Sequence, residues 1–218
     1  MLMKQIILVL TVLITLTACN NPDTANVKGT QTEQAIDAAQ NKLDRNVLIE
    51  ELKKLHRIVA SNNKEKIAGI FEFPIVDTIF SGYVDDSTFY EEFKSNGDQT
   101  TKTMFLQHFK EISISMQFDQ VNNLFKKINN VDKLLHKDTL EEDTYLKSEP
   151  CFYSYSIEID RDMVALRIDM QSNSDYKSKK PSEDEIPENS SEFCEHAFWW
   201  KFKFDGNKLH VVNISGAD

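Results

Sequence analysis

The hydrophobic period of the chain changes at Pro150, and that change constrains its fold more than any other feature. Before Pro150 apolar residues recur every three or four positions, and after it they alternate, which sends successive side chains to opposite faces of extended strands. In the first alternating run Cys151, Tyr153, Tyr155, Ile157 and Ile159 share one face, opposite Phe152, Ser154, Ser156 and Glu158. Asp160-Arg161-Asp162 reads as a tight turn. The return strand then sets Val164, Leu166, Ile168 and Met170 inward against Met163, Ala165, Arg167 and Asp169. A third run sorts Cys194, His196, Phe198, Trp200, Phe202 and Phe204 from Glu195, Ala197, Trp199, Lys201 and Lys203. Asp205-Gly206 is a hairpin signal leading into a last strand at 209–215. The sheet is expected to begin at Cys151.

Upstream, Leu48, Leu52, Leu55 and Val59 fall at helical spacing while Glu50, Glu51, Lys53, Lys54 and Arg57 take the opposite face. Asp44 is placed to cap this helix, and Asn62-Asn63 to stop it. A short helix is expected at 64–71 before Pro74, then an extended segment over 74–84, then a short amphipathic turn at 88–94. Thr101 can cap a helix with Phe105, Phe109 and Ile112 inward, and Asp119 another with Val121, Phe125, Ile128 and Leu135 inward. Helices first and an antiparallel meander afterwards predict an α+β domain over 44–218, with the helices on one face of a curved sheet.

The chain ahead of this domain has a different character. Residues 20–42 hold no aromatic side chain and too little apolar surface to offset the entropy of ordering, so 19–43 reads as a tether. A flexible coil of that length would hold the domain about 25 Å from its attachment point. Further upstream, Lys4 precedes an apolar run from Ile6 to Leu16, a pattern of signal peptides and too short to span a bilayer. The run closes on Leu16-Thr17-Ala18-Cys19, which resembles the bacterial lipoprotein signal. That resemblance implies removal of residues 1–18, a diacylglycerol on the sulfur of Cys19, and anchorage in the membrane through that lipid. Asn20 after the cysteine resembles the pattern of lipoproteins sorted to the outer membrane, facing the periplasm.

With Cys19 carrying lipid, Cys151 and Cys194 remain as an even pair in an exported compartment and are expected to form a disulfide. Two free thiols are the competing reading. Both cysteines lie on the inward face at one end of the meander. Next-but-one strands, however, stand about 10 Å apart and bridged Cα atoms seldom exceed about 7 Å. The middle strand must therefore stop short of them, or the strand order is not a simple meander.

In its order of elements, 44–218 resembles the cystatin-like cone of nuclear-transport-factor-like domains, although the chain is longer than such domains usually are. A different helix-on-sheet α+β fold is the alternative. The cone would imply a cup with His196, Tyr153 and Tyr155 at its mouth, and acid–base chemistry there. The sequence itself holds no phosphate-cradling glycine loop, no Gly-x-Ser-x-Gly elbow and no His-Glu-x-x-His helix. The histidines at 56, 108, 136, 196 and 210 are scattered, and no cofactor or metal is expected. Asp160-Arg161-Asp162 and Glu141-Glu142-Asp143 read as a turn and a solvated charge run.

Two features point to a partner. Trp199 and Trp200 are consecutive on a strand, so only one can enter the core. Phe152, Arg167, Trp199 and Lys201 then share the outer face, either beneath a second, smaller core or as an exposed binding surface. The second feature is the run that carries Glu183, Asp184 and Glu185 without a basic residue. The formal charge is −10, and losing Lys4 with the leader makes it −11. That balance argues against nucleic acid and, if charge matters, for a cationic partner. The sequence thus predicts a non-enzymatic, lipid-anchored envelope protein that binds another protein. An immunity or inhibitor protein against a basic toxin or hydrolase is its most concrete form. A small-ligand or enzymatic cup is the alternative.

Overall fold

The computed structural model describes residues 44–80, 84–176 and 194–217, within one compact unit, Leu43–Asp218. Helix α1 (Arg45–Ala60) begins where Asp44 Oδ1 accepts the amides of Asn46 and Val47. It buries Leu48, Ile49, Leu52, Leu55 and Val59. Short helices follow: α2 (Lys64–Ala68), α3 (Ser87–Ser95, capped by Asp86), α4 (Lys102–Gln107, capped by Thr101), α5 (Phe109–Ser115) and α6 (Phe118–Lys127). Two-residue strands β1 (Ile75–Val76) and β2 (Gln99–Thr100) pair antiparallel and tie the extended 74–80 segment to the helices.

Two expectations about the last helices are corrected. Asp119 does not cap α6: Gln117 sits at φ 54 and turns the chain, so the helix has begun by Phe118 and Asp119 lies in its first turn. There its charge favours the positive end of the helix. After α6 a 3-10 helix (Val131–Leu135) changes the phase. With three residues per turn, Val131 and Leu134 point inward while Leu135 stays exposed.

The main sheet is a simple antiparallel meander, β3-β4-β5-β6-β7. Its strands are β3 (Thr139–Asp143), β4 (Cys151–Asp160), β5 (Met163–Ser172), β6 (His196–Phe204) and β7 (Leu209–Ala217). The sheet therefore begins a strand earlier than the change of period suggests. Glu141-Glu142-Asp143 is an edge strand rather than a loose charge run, because only Leu140 of its five residues is buried. The inner faces of β4, β5 and β6 alternate as expected. Tyr155, Ile157, Val164, Leu166, Ile168, Phe198, Trp200 and Phe202 are all buried against the helices. Trp200 anchors the two layers: its ring meets Phe71 and Phe118, and its Nε1 donates to the Met116 carbonyl at 2.9 Å. A two-residue turn closes the β4–β5 hairpin, with Arg161 at φ 55, and a four-residue connection closes the β6–β7 hairpin, with Gly206 at φ 98. In the latter Asp205 Oδ1 accepts the amides of Asn207 and Lys208.

Cys151 and Cys194 are joined, with Cα atoms 5.5 Å apart. The middle strand does not stop short, since Cys151 pairs with Ser172, the last residue of β5; the pairing of β5 with β6 ends instead at Met170 and His196, and Cys194 lies ahead of β6, off the ladder. Buried Asn173 finishes the corner. Its side chain donates to the carbonyls of Leu146 (2.9 Å) and Glu149 (2.7 Å), so the β3–β4 and post-β5 segments are locked beside the disulfide.

Candidate protein-binding face

The strand register decides which side chains of the outer face meet. Trp199 lies opposite Arg167 on β5 and Ser215 on β7, and Arg167 lies opposite Ser156 on β4. Ala165 and Ala197 flank this row. Small neighbours leave the indole standing on the sheet, and two long cations close on it. The Arg167 guanidinium carbon is 5.6 Å from the ring centroid and Lys201 Nζ 5.9 Å. Both distances are within cation–π range. Asp169 Oδ1 accepts from Arg167 Nε at 3.0 Å, and the carboxylate partly neutralises the guanidinium. Arg167, Trp199 and Lys201 thus form one cluster, half-buried at the tryptophan and open at the lysine.

Phe152 shares the outer face but not the cluster. It pairs across the strands with Gln171, four residues along β5 from Arg167, a run of about 13 Å at the rise of a strand. Its ring instead packs edge-on against Tyr145, at 5.4 Å between centroids. Tyr145 was invisible to alternation because it lies in the β3–β4 connection, and only the aromatic pair itself marks it. Between the two groups lies a shallow open cleft of about 510 Å³, lined by Arg167, Asp169, Gln171, Glu195 and Ala197 among others. Small-molecule sites enclose most of their ligand's surface, and a shallow, charge-lined cleft does not. The 74–80 segment does not cover this face, since Phe80 bridges Ile214 at the β7 edge. Cys19, the tether and Glu183, Asp184 and Glu185 lie outside the described residues.

Among the described residues, side chains fill the inner face at the place the cone would put its cup. Tyr155 is buried and its hydroxyl donates to Gln120 Oε1 of α6 at 2.9 Å, while Tyr153 stacks on it at 5.9 Å. Burial pushes the Tyr155 phenol up to about 12, and burial likewise raises Tyr153. Neither phenol is therefore a base near neutral pH. His196 Nε2 lies 2.9 Å from Gln117 Nε2. Elsewhere His108 is held by Asp86 at 2.6 Å, and His210 sits between Glu72 and Asp205 at 2.8 Å each. Among the described residues no group of three or more His, Cys, Asp or Glu side chains is arranged to hold a metal ion.

Helices on one side of a five-stranded antiparallel meander, with an aromatic–cationic cluster on the other, define a two-layer α+β domain whose candidate site is a sheet face. Comparison with protein families, curated proteins and solved structures finds no match for this chain.

Proposed function

We propose that this chain is a non-enzymatic, lipid-anchored protein of the cell envelope that binds another protein through the outer face of its sheet. The observation that carries the reading is the Arg167–Trp199–Lys201 cluster, a rigid aromatic anchor held upright on β6 between two cations. An aromatic side chain with few rotamers beside long polar ones is the composition of interface hot spots. The leader supports an anchor through Cys19 in the outer membrane, on the periplasmic side. The mature charge of −11 supports a cationic partner and opposes nucleic acid. An immunity or inhibitor protein against a basic envelope-attacking toxin or hydrolase fits the leader and the net charge, and such a partner would have to offer hydrogen-bond acceptors where it meets Arg167 and Lys201.

The test is co-purification of the mature chain from envelopes of its own and competing strains, with the Trp199→Ala variant in parallel. A defined partner that is recovered by the native chain and lost with Trp199→Ala is the expected result. Equal recovery by both, with the variant's circular dichroism unchanged, would remove the sheet face from the proposal.

A further inference from the structure

Described residues hydrogen-bond to the backbone of only one edge of the main sheet, and there at one point. On the β7 side the Ile214 amide donates to the Ile79 carbonyl at 2.6 Å, and the Asn213 side chain reaches the Thr78 carbonyl at 3.4 Å. The β3 side is different. The Ile159 amide donates to the Asp138 carbonyl and the Thr144 amide to the Tyr153 carbonyl. By the alternation of an antiparallel ladder, residues 138, 140, 142 and 144 face β4, while Thr139, Glu141 and Asp143 turn their N–H and C=O groups outward. Among the described residues nothing bonds to those outward groups. Beside them a cleft of about 140 Å³ runs between β3 and the end of α6, lined by Ile128, Asn130, Lys133, Lys137, Leu140 and Glu142 among others.

We propose that β3 takes up an extended basic segment of the partner protein as a sixth strand. The inference rests on the protein-binding reading above and names the mode and chemistry of a second contact. An unused row of backbone donors and acceptors is what strand addition requires, and side-chain pockets next to it give selectivity. Charge chooses the occupant. The outer face of β3 carries Glu141 and Asp143, so an incoming strand would set lysine or arginine beside them at alternate positions. Its intervening side chains would enter the cleft over Leu140 and Ile128, where Lys133 and Lys137 disfavour further basic groups. A second copy of β3 would instead face carboxylates with carboxylates, which opposes self-pairing.

The experiment uses the mature chain carrying Cys19→Ser and a short peptide of alternating lysine and valine, with a glutamate–valine peptide as control. The basic peptide should bind and slow amide hydrogen exchange at Thr139, Glu141 and Asp143. Glu141→Pro removes one outward N–H and no ladder bond, so it should weaken binding at least tenfold with the circular dichroism intact. The basic peptide N-methylated at alternate residues should fail on the native chain, which gives the same answer if Glu141→Pro does not fold. Equal binding to Glu141→Pro, equal binding of the acidic peptide, or a dimer that the basic peptide does not dissociate would each overturn strand addition. A natural partner lost with Trp199→Ala but retained with Glu141→Pro would overturn it too, and leave the protein-binding reading standing.

Discussion

Trp199 and Trp200 share a chemistry and a strand but not an environment, and substitution should separate them cleanly. Trp200 is fully buried, ringed by Phe71, Phe118 and Phe202, and hydrogen-bonded to Met116. Trp200→Ala should cost about 3–5 kcal/mol, as removal of a large core ring does. Trp199→Ala removes only exposed-face contacts with two cations. It should cost about 1 kcal/mol of stability while speeding partner dissociation by roughly tenfold or more. Paired thermal melts and surface-binding kinetics check both statements, and a Trp199→Ala melt as low as that of Trp200→Ala would make Trp199 a core residue. His210 offers a pH test. Asp205, then Glu72, raise its pKa above the ordinary 6.5, while His210 and the amides of Asn207 and Lys208 pull Asp205 down to about 2. The histidine's contribution is complete below about pH 6.5 and fades as pH rises through its raised value. That of Asp205 is complete above about pH 4 and fades toward pH 2. The melting difference between the native chain and His210→Gln should therefore be largest from about pH 4 to 6.5 and vanish in alkali.

At the scale of elements, what could be read from the sequence was whatever the core enforces. The strands from Cys151 onward were legible because each buries one face, so alternation survives in their residues. The hairpin turns were legible from Asp160-Arg161-Asp162 and Asp205-Gly206, although only Gly206 suits the positive φ its backbone takes, and Arg161 adopts one without that freedom. β3 was not, since an edge strand that buries only Leu140 leaves no alternating signature among Thr139, Glu141, Glu142 and Asp143. The start of α6 was misplaced because Gln117 supplies a left-handed turn without a capping side chain. Of the outer face, its membership was readable from β4 to β6, but separating Phe152 from Trp199 required the register. The Cys151–Cys194 bridge was legible from parity and facing, and it makes a prediction of its own. It closes a loop of 43 residues' separation, which contributes about 4 kcal/mol on the chain-entropy account. Cys151→Ser should lower the melting temperature by on the order of 10 °C for a domain of this size. An unchanged melting temperature would mean the bridge adds no stability.

The domain has two distinct ends. The chain enters the domain at Asp44, where Arg45 pairs with Asp138 and bonds to the carbonyls of Leu134 and Lys137 at 3.4 Å. Asp138 leads into Thr139, which pairs with Glu158 near the Asp160 hairpin. The disulfide lies at the opposite end of the ten-residue β4, about 30 Å away by strand rise. Cys19→Ser should abolish palmitate labelling and move the protein from the membrane pellet to the soluble fraction. Labelling that survives it would remove the proposed location. Replacing Glu183, Asp184 and Glu185 by serine should mainly slow association and flatten its salt dependence, because rim charges steer encounters within a Debye length of about 8 Å. An unaltered association rate would exclude these three residues from the encounter.

The bridge between Cys151 and Cys194 also determines what a protease could achieve. β4, β5 and everything between them and β6 lie inside the covalent loop it closes. One broken peptide bond between the two cysteines yields a nicked protein that keeps its mass and its pairing of β6 with β7, and comes apart into two pieces only after reduction. A cut outside the loop leaves two pieces with no covalent link, held together by packing alone. The segment from Cys151 to Cys194 is thus where a host or rival protease could strike once and leave the two resulting pieces covalently joined.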